Sequence, residues 1–264
     1  MVTDAPVKHF LADIDGTTFP DRQNGESLPD GFYGALARLS RIIERGNKGD
    51  LPPFGFCTGR ELTYVQVITR ALPLPDGWSI IENGLCLYNL ATEERINHPL
   101  FTPETAVAFR NIRDRIGTVT HRFPDLEVYL EKEVHVALER CNRWINLAEY
   151  VAPIEEMFFD FREQMDVVCS GHAIDILIKG INKGSGLQEL CKWSGISPEE
   201  ILVIGDSPND IPAMRLAGYV GCPSNADEEC KEFVRNKGGH VSSFPYVVGV
   251  VDIIRHYLPS AGQA

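Results

Sequence analysis

Two apolar runs in this chain end in aspartate, and they lie almost the whole chain apart. Residues 10–19 read FLADIDGTTF, and residues 201–210 read ILVIGDSPND. Each has the character of a buried strand that hands over to carboxylates, and the first delivers two of them, Asp13 and Asp15, a single residue apart. Burying unpaired charge is costly, and close carboxylates raise each other's pKa. A fold that keeps both runs must bring their ends to an edge where something cationic can sit. In an open parallel sheet that edge is the carboxyl end of the strands, where ligands bind.

The rest of the chain has the alternation such a sheet needs. Residues 7–12 predict a first strand. Asp30 is placed to cap a helix whose Leu36, Leu39, Ile42 and Ile43 recur at helical spacing, with Gly46 to end it. Residues 53–57 predict a second strand, 61–72 a helix and 79–81 a third strand, the rhythm of a doubly wound parallel sheet. From residue 85 to about 178 the texture changes. Hairpin-like pieces (GLCLYNLATEERI, DLEVYLEKEVHVALER, MDVVCSGHAIDILI) alternate with helical stretches that begin near Thr102 and Pro153, which predicts an α+β unit around an antiparallel sheet. After Lys183 the first rhythm returns, with a helix, the ILVIG strand, a helix over 211–217 closed by Gly218, and a strand at YVGC. The expected fold is therefore α/β: a Rossmann-like parallel-sheet core from residues 1–84 and 180–264, interrupted by a cap over residues 85–179.

Composition narrows the function classes. At 264 residues and 44% hydrophobic the chain can bury a sizeable core. Its net charge of −12 removes the usual electrostatic basis for binding nucleic acid or an anionic membrane. No apolar run is long enough to span a bilayer, and residues 1–10 lack a charged-then-apolar signal. Seven cysteines without a CxxC read as reduced thiols. A cytoplasmic protein without nucleic-acid or membrane partners is expected, monomer or homodimer being left open. Walker A and dinucleotide fingerprints are absent.

Four short motifs fall in the two core halves. Asp13 and Asp15 follow the first strand, Thr58 and Gly59 the second, Lys183 opens the helix after the insert, and Asp206 and Asp210 follow ILVI. Two unit charges about 4 Å apart repel by roughly 4 kcal/mol at an effective dielectric of 20. Asp13, Asp206 and Asp210 together would destabilise the edge, and a hard cation with oxygen ligands, Mg²⁺, resolves the conflict. The other groups suit a phosphoryl anion: a hydroxyl from Thr58, backbone N–H groups around Gly16 and Gly59, and the charge of Lys183. Asp15 is left to move a proton.

DIDGTT, CTGR, Lys183 in NKG, and GDSPND, present and in order, resemble the four motifs of the haloacid dehalogenase superfamily of aspartate-nucleophile phosphatases, along the whole chain. An insert between the second and third motifs is similar to the C2 cap subclass, in the strand-rich form of Cof-like and sucrose-phosphate phosphatases. The resemblance implies that Asp13 becomes an aspartyl phosphate, and that Asp15 protonates the leaving oxygen and then activates water. It implies Mg²⁺ bound by Asp13, the Asp15 carbonyl and Asp206, with Asp210 holding a metal water or orienting the loop. Thr58 and Lys183 complete the catalytic set, and Thr17 and Asn209 support it.

The implied activity is hydrolysis of a small phosphorylated metabolite, a sugar phosphate foremost. The alternatives are a phosphomutase or phosphotransferase working through the same aspartyl phosphate and, disfavoured by the insert, a phosphoprotein phosphatase. A binding module that merely keeps the fold would have lost the nucleophile or a metal ligand, and both are present. Arg60 and Asn83 are further substrate-facing candidates. In the cap, SGHAIDILIKGINKG is similar to the matching stretch of sucrose-phosphate phosphatases, which adds His172, Asp175 and Lys179. Alternation puts Ile174, Ile176 and Ile178 on one face of that strand and Asp175 on the other.

Overall fold

The computed structural model describes residues 6–20, 27–129, 131–142, 144–169 and 173–263. Its first third contains β1 (His9–Ala12), α1 (Phe32–Asn47), β2 (Phe54–Phe56), α2 (Leu62–Ile68), β3 (Trp78–Ile81), β4 (Cys86–Asn89) and β5 (Arg95–Asn97). The middle holds α3 (Pro103–Arg115), α4 (Gly117–Arg122), β6 (Leu126–Tyr129), β7 (Val136–Arg140), α5 (Ala148–Met157), β8 (Met165–Cys169) and β9 (Ala173–Ile178). The last third runs through α6 (Lys183–Ser194), β10 (Ile201–Ile204), α7 (Ile211–Leu216), β11 (Tyr219–Cys222), α8 (Glu228–Asn236), β12 (His240–Val241) and α9 (Tyr246–Tyr257).

The doubly wound sheet is parallel throughout, in the order β12-β11-β10-β1-β2. The two aspartate-tipped runs are neighbours in it. Phe10 pairs with Leu202 and Ala12 with Ile204, so both runs reach the same edge. All four residues of β1 and of β10 are buried, as expected for strands covered on both faces.

Three details depart from the sequence reading. Residues 79–81 do form a strand, but β3 pairs antiparallel with β4, which in turn pairs with β5, and it meets β2 through a parallel bridge at Cys57–Ile80, the Thr58 N–H on the Ile80 carbonyl, the Gly77 N–H on the Phe54 carbonyl and the Phe56 N–H on the Ser79 hydroxyl. Asp30 does not cap α1. Gly31 holds the cap position in the left-handed region, and Gly46 is the last buried residue of a helix that runs on to Asn47. A side chain at Gly46 would meet the Pro52 carbonyl, so packing explains that glycine better than helix ending does. Pro153 lies inside α5, which starts five residues earlier at Ala148; Thr102, by contrast, caps α3 with its side chain on the Thr105 N–H.

The middle of the chain builds a second layer, the antiparallel sheet β6-β7-β9-β8 backed by α3, α4 and α5. Ile174, Ile176 and Ile178 join Phe109, Ile112 and Phe158 in its core. The switch in packing comes after β5. Cys86 and Tyr88 of β4 pack with Phe10, Phe54 and Phe56, while Leu87 joins Leu11 and Ile80, so both faces of β4 belong to the parallel sheet's clusters. Among the described residues, no helix is long and apolar enough to cross a membrane.

Candidate active site

Register alone assembles the edge. The Asp13 N–H donates to the Ile204 carbonyl and the Cys57 N–H to the Ala12 carbonyl, which lines up the loops after β1, β10 and β2. Asp13 is nearly buried. Its Oδ1 accepts the Ile14 N–H at 2.7 Å, and Thr18 Oγ1 donates to its carbonyl at 2.6 Å, so the turn itself holds the carboxylate in place. Gly16 adopts φ +74°, and a Cβ there would fall 2.3 Å from Asp206 Oδ2, so only glycine lets the two loops close on each other. Thr17 Oγ1 then bridges the gap, donating to Asp206 Oδ1 at 2.5 Å.

Lys183 arrives from the far side of the insert. Asn182 caps α6 by accepting the Gly184 and Ser185 N–H groups, which fixes Lys183 at the first helical position. Its ammonium is fully buried, 2.8 Å from Asp13 Oδ2, 2.7 Å from Asp210 Oδ1 and 3.4 Å from Asn209 Oδ1. Asp210 is occupied at both oxygens, since Oδ2 accepts the Asp206 and Ser207 N–H groups at 3.0 and 3.1 Å. Of the two roles expected for Asp210, orienting the loop is the one these bonds match.

Asp13, Asp206 and Asp210 offer oxygens that lie within 4.8 Å of one another. Three carboxylates against the one ammonium of Lys183 leave a formal charge of −2, and an all-oxygen donor set with that charge fits a hard divalent cation. Without such a cation the cluster is strained electrostatically. Burial, with Asp210 and Asp15 nearby, lifts Asp13 to about 7 against the pull of Lys183. Burial also pushes Asp206 well up, reinforced by Asp210 and Asp13. For Lys183 burial works the other way, but the two carboxylates outweigh it and raise the lysine well above its ordinary value.

Asp15 stands apart from this cluster and is partly exposed. Arg60 donates to it from Nε at 2.7 Å and from NH2 at 3.4 Å, and Tyr64 Oη donates to it at 3.0 Å. Burial alone would lower Arg60, but the Asp15 carboxylate reverses this and keeps the guanidinium charged. Thr58 is buried beside them, its Oγ1 accepting the Arg60 N–H at 3.1 Å. Asn83 is left-handed (φ 57°), donates its N–H to the Thr58 carbonyl, and packs against Gly59.

Above the cluster lies a cavity of about 120 Å³ whose walls include Lys183, Asn83 and Asn209 from the core and Asp175 and Leu177 from β9. Lys179 is elsewhere: it lines a different hollow between α5 and β8 and donates to the Arg162 carbonyl, because β9 has ended at Ile178 and turned away. His172 lies outside the described residues.

Sequence reasoning missed the residues by which the second layer grips the first. Lys132, nearly buried, donates to the Gly59 carbonyl and stands 3.4 Å from Asp175 Oδ1. Glu82, itself at φ 50°, accepts the N–H groups of Glu133, Val134 and His135 at 2.8–3.1 Å. Tyr129 and Glu139 reach Glu61 and Arg60. None of these sits in a motif. The nearest sequence signal is ENG at residues 82–84, where Asn83 reads either as a turn residue or as a polar group at the cap hinge facing the substrate.

An aspartate cluster at the carboxyl ends of parallel strands, closed by a buried lysine, agrees with the comparisons. A family model described as haloacid dehalogenase-like hydrolase matches residues 145–242. A phosphoglycolate phosphatase of Methanothermobacter thermautotrophicus is 32% identical over 252 residues, 96% of this chain and 99% of that protein. A second, from Methanopyrus kandleri, is 30% identical over 84% of this chain and 86% of its own length. Among solved structures, the sucrose-phosphatase of Synechocystis sp. PCC6803, in complex with sucrose and phosphate, superposes with a TM-score of 0.68 at 20% identity, covering 96% of this chain and 98% of the other. A Thermoplasma acidophilum structure, 0175, gives the same TM-score, identity and coverage. The chain belongs to the haloacid dehalogenase-like hydrolases. Within that family it is a phosphatase.

Proposed function

We propose that the protein is a Mg²⁺-dependent phosphomonoesterase that works through an aspartyl phosphate on Asp13, with the antiparallel layer that follows β5 acting as a cap on the parallel-sheet core. The observation that carries the reading is the buried group Asp13, Asp206, Asp210 and Lys183, whose formal charge of −2 awaits a divalent cation beside an aspartate pinned by its own turn. Bound Mg²⁺, held by Asp13, the Asp15 carbonyl and Asp206, would neutralise this charge and that of the phosphoryl group.

The chain's own residues supply the remaining steps. Lys183 and the Ile14 N–H orient Asp13, whose carboxylate attacks phosphorus as the ester P–O bond breaks. Asp15 gives its proton to the leaving oxygen. It then takes a proton from the water that attacks the aspartyl phosphate, which frees phosphate and restores Asp13. Thr58 and the backbone at Gly16 and Gly59 hold phosphoryl oxygens, with Thr17 and Asn209 bracing Asp206 and Lys183.

The substrate we propose is a small phosphorylated acid of the phosphoglycolate kind. Relatives bearing that name share about 30% of their residues with this chain over nearly its full length, among them the Methanothermobacter protein at 32%. The cavity of about 120 Å³ supports the same size class. A sugar or polyol phosphate is the second reading, favoured by one observation: the carboxylate residue Asp175 lines this cavity, its Oδ1 without a hydrogen bond and 3.4 Å from Lys132, so that a substrate hydroxyl has an acceptor side chain beside it.

Phosphate release from a panel of phosphoglycolate, triose, hexose and sucrose phosphates tests the reading, each assayed with Mg²⁺ and with a chelator. Asp13→Asn is expected to cut turnover roughly 10³-fold or more with the fold intact. Turnover surviving in that variant would remove Asp13 from its role. Formation of an isomerised sugar phosphate in place of free phosphate would make the enzyme a mutase.

A further inference from the structure

Three consecutive core residues, Gly59, Arg60 and Glu61, are each held by a different side-chain contact from the second layer. Lys132 donates to the Gly59 carbonyl. Tyr129 Oη, with one proton to give, lies 3.2–3.3 Å from the Glu61 carboxylate and 2.9 Å from Glu131 Oε2. Between them, Arg60 is divided between layers. Its Nε and NH2 serve Asp15, while NH1 lies 3.8 Å from Glu139 Oε1 on β7. Its guanidinium is also stacked between one ring from each side, 4.6 Å from the Tyr64 centroid and 5.3 Å from that of Tyr129. An arginine held by carboxylates at both ends and rings on both faces has little rotamer freedom, and removing the β6–β7 side takes away half of what holds it.

We propose that Glu139 and Tyr129 are positioning residues for the reaction: with the cap closed they fix Arg60, and through Arg60 they fix the carboxyl of Asp15 where it can reach the leaving oxygen. Leaving-group protonation is thereby tied to cap closure. With Glu139 and Tyr129 withdrawn, Arg60 is restrained from the core side alone and Asp15 follows it. The inference rests on the reading of Asp15 as the acid, and it adds two residues that do not touch the substrate. The chemistry sets the signature. An alkoxide leaving group needs a proton as the P–O bond breaks, whereas p-nitrophenolate is stable enough to leave without one, so a fault in acid placement must slow the first far more than the second.

The experiment is rapid-mix, single-turnover release of the leaving group by the full-length enzyme with Mg²⁺, using p-nitrophenyl phosphate and the best alkyl phosphate found for the wild type. Glu139→Gln is expected to slow alkoxide release about tenfold more than p-nitrophenolate release, with Glu139→Asp recovering part of the difference. Tyr129→Leu, which removes both the ring and the hydroxyl beside Glu61 and Glu131, provides an independent route should Glu139→Gln fold poorly, and is expected to show the same selectivity. Equal slowing of both leaving groups, or a change confined to KM, would overturn the coupling and leave these residues a structural or substrate-binding role. A wild type that releases neither leaving group would instead overturn the phosphomonoesterase reading, and an Asp13→Asn variant that releases both would remove Asp13 from its role, the coupling falling with either.

Discussion

The acid cluster in the core and the seam beneath the second layer are built from the same kinds of residue to opposite ends. In the core, Lys183 has both carboxylates within 2.8 Å and no exposure, and every oxygen of Asp210 is bonded. In the seam, the charged pair that crosses between the layers is looser: Arg60 stands 3.8 Å from Glu139 with about a fifth of its side chain exposed. Tight buried pairing fixes one geometry and is costly to break, whereas longer, partly solvated pairs can be exchanged for water at little cost. The first pattern suits groups that must meet a reacting phosphorus in one arrangement. The second suits a surface that opens and closes.

Breaking the core side of this comparison has the largest expected effect. Lys183→Met leaves Asp13 and Asp210 buried without their cation, and removing one partner of a buried pair costs about 3–5 kcal/mol. We expect such a loss in the metal-free protein by thermal or denaturant unfolding, together with loss of turnover, and partial recovery of stability with Mg²⁺. A variant as stable as the wild type would mean that the carboxylates are already protonated in the resting protein and that the cluster is not held by Lys183.

A titration sharpens the same point. Asp13 is raised from 3.8 to about 7, chiefly by burial, so between those values the folded state binds a proton that the unfolded state has released. Stability of the metal-free protein must then fall as pH rises from about 4 to 7, by an amount on the order of a few kcal/mol. Asp206, raised in the same direction, adds to the slope. Mg²⁺ binds the ionised cluster and should flatten it, with stabilisation that grows toward neutral pH. Unfolding midpoints measured at several pH values with and without Mg²⁺ decide this; a metal-free curve that rises toward pH 7 would contradict the assignment.

The contrast also explains what could be read in advance. The core site was legible because parallel-strand register converts short motifs into neighbours: once residues 10–12 and 202–204 pair, Asp13 and Asp206 have nowhere else to go. Lys183 was legible from its place in NKG, where the helical rhythm resumes after the insert. The seam was not, because its contacts come from an antiparallel sheet whose register against the core no motif records. Lys132 in EKEVHV looks like any solvated lysine, and Glu82 reads as a turn residue until the N–H groups of residues 133–135 are seen converging on it. Lys179, one residue beyond β9, shows the converse failure: proximity in sequence to Asp175 did not survive the turn after Ile178.

The smallest expected effect falls on that seam. Glu82 is buried, and burial raises its pKa despite Lys132 and three backbone N–H donors. Its ionised form is therefore incompletely compensated, and its contribution to stability, like that of Asp13, declines as pH rises through its titration. Glu82→Gln keeps an acceptor for the amides of residues 133–135 and removes the uncompensated charge. The two changes oppose each other, one weakening hydrogen bonds by about 1 kcal/mol or somewhat more, the other relieving burial of charge by a similar amount. We expect a net shift within about 1 kcal/mol at pH 7, with faster hydrogen exchange confined to the 133–135 amides. A loss of 3 kcal/mol or more would place Glu82 in the same class as Lys183, and the second layer would then be bolted to the core at this turn as firmly as the acid cluster is to itself. In that case any opening must pivot about residues 131–135, leaving β8 and β9, with Asp175, as the edge that moves.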